Sequence, residues 1–320
     1  MRWRHADAIS KRKVGIMEIL TLDNIDFSEY EQETDPKQKV RSIAAYTQEI
    51  IEELTPDRAD APRHPKMPFA NFWLYFAPGE VTVWAGFNGS GKSMLQGQVL
   101  AKLAEEGVKS CIASAEMKPR KTASRMIRQC TGKRWPQPAE VQAFVAKTEK
   151  SLYVYDQQGN IEGKKLRAVI RYCVDKLGIQ HFAVDSLMKC VRGTDDYNGQ
   201  KDFVDMLTVI ARDLNIHIHL VVHLKKGEGD EKVPTRMDIS GSGAISDLVD
   251  NVLICWRNKR KERERDAGKQ VNENDADTLL ICDKSRNGDW EGRIPLWFDP
   301  DCQKFTDFNK NARRGLARAL

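Results

Sequence analysis

The sequence predicts an α/β fold: a mostly parallel central sheet with helices on both faces and antiparallel hairpins at one edge. Three observations carry this. From about residue 70, short apolar runs alternate with helix-period stretches, the pattern of repeated strand–helix–strand units. One apolar run passes directly into a glycine-rich turn and then a helix. The last apolar runs lie too close together for crossover helices, so they pair as hairpins.

The elements follow in order. Strands are expected at 81–85, 110–114, 152–155, 180–184, 216–222, 251–256, 278–282 and 293–298. Helical stretches separate the first five, for example 92–105, 161–177 and 201–214. Residues 1–64 read as a polar extension with one helix near 38–54. Its apolar positions Val40, Ile43, Ala44, Ile50 and Ile51 fit a helical stripe only partly. Pro56, Pro62, Pro65 and Pro68 mark a linker. The main domain is expected over 65–310, followed by a basic tail at 311–320. The first residues are basic but lack the apolar stretch of a secretion signal. Met17 opens a more ordinary acidic start, so the first sixteen residues read as a candidate start-site artefact.

Composition bounds the partners. The chain has 320 residues, 41% hydrophobic and 30% charged, with a net charge of +5. That is a globular balance, mildly basic and compatible with a polyanion. Seven cysteines occur without a C-x-x-C pair. Several, such as Cys111, Cys255 and Cys282, sit in apolar runs and read as reduced core residues. No apolar run reaches membrane-spanning length.

In a parallel sheet, ligands bind beyond the carboxyl ends of the strands. Polar residues placed there are the functional candidates. The first apolar run leads into Gly86-Phe-Asn-Gly-Ser-Gly-Lys-Ser93, which is G-x-x-x-x-G-K-S between strand and helix. Gly86, Asn88, Gly89, Ser90 and Gly91 let backbone N–H groups curl around phosphate oxygens, helped by the helix N-terminus. Lys92 reaches the β- and γ-phosphates of a nucleoside triphosphate, and the Ser93 hydroxyl holds Mg²⁺. Asp185 follows another strand and suits Mg²⁺; alone, such an acid is as readily a helix cap. Glu116 follows the strand after the phosphate-loop helix, where a carboxylate can orient or deprotonate water. It also fits a simple helix opening. His217 and His219 share one strand face and read as satisfied core residues. His223 stands at the carboxyl end, placed to hydrogen-bond a terminal phosphate. Lys284 and Arg286 follow a late strand. They are either a solvated turn or cations that stabilise charge on a nucleotide, a role worth roughly 10³–10⁵ in rate.

The order of these motifs resembles the DnaB-like superfamily of hexameric helicases, which have a RecA-like P-loop core. The phosphate loop is followed by Ser114-Ala-Glu116-Met117, His181-Phe-Ala-Val-Asp185, Val222-His223-Leu224-Lys225, Ser240-Gly-Ser-Gly243-Ala244 and Lys284-Ser-Arg286. The likeness covers about 65–305 and is closer to phage primase-helicases and Twinkle, notably from Met237 to Asn258. It implies a ring-forming replicative DNA helicase that couples hydrolysis of ATP, or another NTP or dNTP, with Mg²⁺ to 5′→3′ movement on single-stranded DNA and duplex unwinding. It further implies that Glu116 is the catalytic base, that Asp185 is the metal-side acid and that His223 senses the γ-phosphate. Lys284 and Arg286 reach the neighbour's nucleotide, and Arg257 packs on the nucleotide base.

DNA-contacting loops are implied at 189–200 and 225–241, the second with Lys225, Lys226, Lys232, Arg236, Ser240 and Gly241. Glu228, Asp230 and Glu231 dilute its basic character, and Ser240 stands where the phage pattern often has Arg. The run at 257–269 alternates in charge sign and reads as a solvated charged hairpin. Too few residues precede the core for a fused primase, so a separate primase, and a loader, are expected partners in the cytoplasm of a bacterium or phage-infected host. The helix at 38–54 matches the family's subunit-docking linker. Rival readings are a RecA- or RadA-type recombinase, a DNA-stimulated loader or regulatory ATPase, and a P-loop small-molecule kinase.

Overall fold

The computed structural model describes residues 42–54, 64–157, 159–193, 195–225, 232–241, 243–288 and 290–309. The start of the expected N-terminal helix, Pro56 and Pro62, Lys226 and the tail at 311–320 lie outside these residues. At the amino-terminal side a 3-10 turn, Ile43–Tyr46, leads into α1 (Thr47–Leu54). Then come β1 (Val81–Gly86), α2 (Lys92–Glu105), β2 (Ser110–Ser114), α3 (Pro119–Thr131), α4 (Pro138–Thr148), β3 (Leu152–Tyr155) and α5 (Gly163–Tyr172). They are followed by β4 (His181–Asp185), α6 (Tyr197–Leu214), β5 (His217–His223), α7 (Ala244–Leu248), β6 (Asn251–Arg257), α8 (Lys259–Asp266), β7 (Thr278–Ser285), β8 (Gly292–Asp299) and β9 (Lys304–Thr306).

The nine strands form one sheet in the order β3-β2-β4-β5-β1-β6-β7-β8-β9. The pairings from β3 to β6 are parallel, and those from β6 to β9 antiparallel. The predicted fold class is therefore the observed one. Most strand bounds differ from expectation by a residue or two. The predicted helix at 161–177 is α5 plus a wider π turn over Cys173–Leu177. The short edge strand β9 carries too few apolar residues to be read from periodicity.

Alternation along the strands sorts the core to two faces. Val81, Val83 and Ala85 join the α5 and α6 side chains Leu166, Ile170, Val204 and Leu207. Trp84 points the other way, into Phe72, Phe76, Leu95, Val99 and Leu253. Both sets are almost fully buried. Cys111, Cys255 and Cys282 are buried as expected. Among the described residues no helix is long and apolar enough to cross a membrane.

Three imidazoles lie in the second layer. The Trp84 indole N–H donates to His219 Nδ1 at 3.2 Å. His219 therefore carries its proton on Nε2 and donates to His181 Nδ1 at 3.0 Å. His217 bonds the Ala77 carbonyl through Nδ1, 2.7 Å, and the Thr82 hydroxyl through Nε2, 2.9 Å. His217 and His219 are thus the satisfied core residues the sequence suggested.

The charged run at 257–269 is the clearest departure from expectation. It contains α8, and Lys261 on that helix is buried at 3% exposure. The Lys261 ammonium pairs with Asp277 at 2.9 Å and bonds the Asp275 carbonyl at 2.6 Å. Alternating charge here builds a packed ion network rather than a solvated excursion, because the acids that answer it lie beyond the run.

Candidate functional site

Four adjacent strands, β2, β4, β5 and β1, end at one rim of the sheet. Register brings Ser114 beside Asp185 and Gly86 beside His223. With strands roughly 4.8 Å apart, Glu116, Asp185, His223 and the loop after Gly86 converge. They open on a cavity of about 970 Å³ lined by Asn88, Gly89, Gly91, Lys92, Ser93, Glu116, Asp185 and His223, among others.

The loop after β1 is shaped for close approach. Gly89 and Gly91 have φ of 75° and 92°, the left-handed region where glycine is favoured. A Cβ on Gly86 would meet the Ser90 hydroxyl and lie 2.8 Å from the Cys255 carbonyl. α2 starts at Lys92 without a side-chain cap, so its first N–H groups face the loop. The Ser90 hydroxyl is buried without a hydrogen-bond partner among the described residues. This is a backbone cradle fitted to an anion.

Opposed charges meet in the cavity. The Ser93 hydroxyl donates to Asp185 Oδ1 at 3.0 Å. Burial raises the Asp185 pKa, and the Ser93 hydrogen bond pulls it back. Burial lowers the Lys92 pKa, opposed by the charges of Asp185, Cys255 and Glu116. Ser186, joined to Asp185 by a cis peptide, donates to Glu116 Oε1 at 2.9 Å. Burial, then Lys92, lowers the His223 pKa. Its Nδ1 is buried and has no hydrogen-bond partner among the described residues. A hydroxyl beside a carboxylate on a phosphate cradle is a hard-oxygen donor set that suits Mg²⁺.

Not every predicted residue joins this cavity. Lys284 and Arg286 leave β7 at the opposite rim, because β7 runs antiparallel to β6 and register sets Ser285 beside Asn251. The carboxyl-end rule holds only for the parallel strands, and these cations cannot serve their own phosphate loop. Lys284 Nζ bonds the carbonyls of Ser246 and Val249 at 2.6 and 2.8 Å. Arg286 bonds Asp250 and the Asp247 carbonyl. Arg257 sits over the loop: it donates to the Gly89 carbonyl at 3.0 Å and pairs with Glu262 of α8.

The segments expected to touch DNA are more ordered than loops need be. The stretch at 189–200 already enters α6 at Tyr197. In the second, Leu224 bridges Ile239 and the Ser240 amide donates to the His223 carbonyl at 2.9 Å. Arg236 is held by the Asp283 backbone carbonyl and carboxylate. Ser240 lines the nucleotide-sized cavity. A Cβ on Gly241 would overlap the Gln200 amide, so the two segments pack together there. Lys225 and Lys232 are exposed.

Sequence reasoning missed Arg125 of α3, which lines the cavity. Nothing in its spacing distinguishes it from Arg120 or Arg128 on the same helix.

Comparison with known proteins follows from this geometry. Residues 72–307 match the family model described as the DnaB-like helicase C terminal domain. A solved structure of the ATPase domain of a DnaB-like replicative helicase is similar: TM-score 0.69, 14% identity, covering 84% of this chain and 99% of that one. A structure described as a DnaB-like replicative helicase and its interactions with primase has TM-score 0.64 and 16% identity, covering 83% of this chain and 67% of that one.

Proposed function

From the premise that the chain belongs to the DnaB-like helicase C-terminal domain family, a replicative helicase ATPase class, we propose that it is the motor of a ring that moves along single-stranded DNA. The observation that carries this reading is the convergence of Lys92, Ser93, Glu116, Asp185 and His223 on one cavity. Backbone N–H groups of the loop at Gly86, Asn88, Gly89, Ser90 and Gly91, with Lys92, bind the phosphates of ATP or another nucleoside triphosphate. Ser93 and Asp185 are the residues that would hold Mg²⁺, which when bound neutralises charge on the phosphates. Glu116 orients the attacking water and accepts its proton. His223 offers a free ring nitrogen to the terminal phosphate. Arg257 sits against the nucleotide base.

Lys284 and Arg286 complete the site of a neighbouring subunit, and their place on the rim opposite their own phosphate loop supports that reading. Six subunits are the family's expectation, with movement 5′→3′ and a separate primase as partner. The likeness to a structure described with primase supports that partner. Phosphate state reaches DNA through a short path. The His223 carbonyl accepts from Ser240, and the Lys225 amide donates to the Asp238 carbonyl at 2.8 Å. Loss of the terminal phosphate thus shifts the segment that carries Lys225 and Lys232, whose charges grip the DNA backbone.

The test is an ATPase assay with and without single-stranded DNA, paired with unwinding of a forked substrate and electron microscopy of the nucleotide-bound protein. Stimulated hydrolysis, unwinding and closed rings are expected. Filaments with strand exchange indicate a recombinase instead. A monomer with full, DNA-indifferent hydrolysis overturns the reading.

A further inference from the structure

The cavity holds a cation that the motifs do not account for. Arg125 lies in the second turn of α3, the helix that follows the Glu116 turn. Its side chain is half-buried and lines the same wall as Met117 and Asp185. Among the described residues its hydrogen bonding is a single contact, Nη2 to the Met117 sulfur at 3.0 Å. A thioether is a weak acceptor, whereas a guanidinium presents five N–H donors. Arg125 makes no ion pair among the described residues. Asp185 is close enough for its charge to favour the guanidinium against burial.

A partly desolvated cation with unused donors, held at a cavity wall, is poised for an anion. Its place within the cavity selects which anion. The Met117 contact holds the guanidinium at the Glu116 and Asp185 end, whereas the backbone cradle lies between Gly86 and Ser93. The α- and β-phosphates belong to the cradle, and the terminal phosphate belongs to the acidic end, beside His223.

We propose that Arg125 binds the terminal phosphate of the nucleotide in cis, from α3, and so sets the preference of each subunit for triphosphate over diphosphate. This rests on the nucleotide site proposed above. The division of labour is specific: Arg125 acts on binding within the subunit that owns the phosphate loop, while Arg286 acts on turnover from the next one. The guanidinium keeps its charge at every working pH, so the contact is made or lost with the phosphate itself.

The experiment is equilibrium binding of a fluorescent non-hydrolysable ATP analogue and of fluorescent ADP, each with Mg²⁺, to the full chain and to Arg125→Ala and Arg125→Lys. Arg125→Ala should bind the analogue about tenfold or more weakly, the worth of a charge-assisted contact. ADP affinity should stay within about twofold. Arg125→Lys, which keeps charge but loses the fork, should recover part of the analogue affinity. Equal losses for analogue and ADP, or no loss, overturn the proposal. If the alanine variant does not fold, the lysine variant decides: a loss confined to the analogue supports the assignment, and its absence overturns it. Failure of the unaltered chain to bind either nucleotide sinks the nucleotide site itself, a separate outcome.

Discussion

Arg286 is clasped by Asp250. Its Nη1 lies 3.0 Å from Asp250 Oδ1, and its amide donates to the Asp250 carbonyl at 2.9 Å. The other carboxylate oxygen accepts from the Val81 amide at 3.0 Å, at the start of β1. β1 ends in the phosphate loop. The cation proposed to serve a neighbour and the strand that feeds the subunit's own loop therefore share one buried carboxylate.

Asp250→Ala should cost stability. It leaves the Val81 amide and Arg286 without their acceptor. The pair is not fully sealed, since the Arg286 side chain is 39% exposed, so the loss should be about 2 kcal/mol rather than that of a dry ion pair. An unchanged denaturant midpoint would count against this account.

Arg286→Ala should separate binding from chemistry. Steady-state ATP turnover is expected to fall by roughly 10³ or more, while affinity for nucleotide barely changes, because the residue stands away from its own phosphate loop. Normal hydrolysis by the purified variant rejects the shared site.

Glu116→Gln tests the proposed base. The amide keeps the size of the side chain and its hydrogen bond to Ser186, but it cannot take a proton at neutral pH. Turnover should drop by roughly 10²–10⁴ with nucleotide affinity intact. A variant that hydrolyses ATP at an undiminished rate removes Glu116 from the mechanism.

Gly86→Ala should damage the cradle. The added methyl would collide with the Ser90 hydroxyl and the Cys255 carbonyl, and neither can yield without moving the loop or β6. Overpacking of this kind costs roughly 1–3 kcal/mol. Nucleotide affinity should fall about tenfold, read by titration with a fluorescent analogue.

The buried histidines set an acid limit. Burial holds His217 down to about 4, and holds His181 and His219 well below the ordinary imidazole value of 6.5. Below 6.5 the unfolded chain takes up protons that the folded chain refuses. Stability is therefore full above 6.5 and is lost as pH falls through about 4. His217 alone accounts for roughly 3 kcal/mol across that window. Urea midpoints at about pH 7.5 and about pH 4.5 should differ accordingly; a flat profile contradicts the neutral, hydrogen-bonded cluster.

Much of the candidate site was legible because it is local. Gly86 to Ser93 is one continuous turn, and Glu116, Asp185 and His223 each follow directly from an apolar run, so parallel strand direction alone predicts a common rim. Arg125 was not legible. It stands on an amphipathic helix among other basic residues, and only packing against Met117 turns it toward the cavity. Lys261 was misread for the same reason: its partners Asp275 and Asp277 lie far enough along the chain that charge alternation says nothing about burial.

The sequence by itself determined the sheet class, the phosphate loop and the side chains at the ends of the parallel strands. Those depend on periodicity and on a single strand–turn–helix, where neighbours in sequence are neighbours in space. Only the tertiary structure decided that Arg286 faces away from its own phosphate loop and rests on Asp250, that the segment after His223 is bonded back to it, and that three histidines share one buried hydrogen-bonded layer. Each of these depends on strand order, strand direction and register, which bring together residues remote in the chain and which local pattern does not encode.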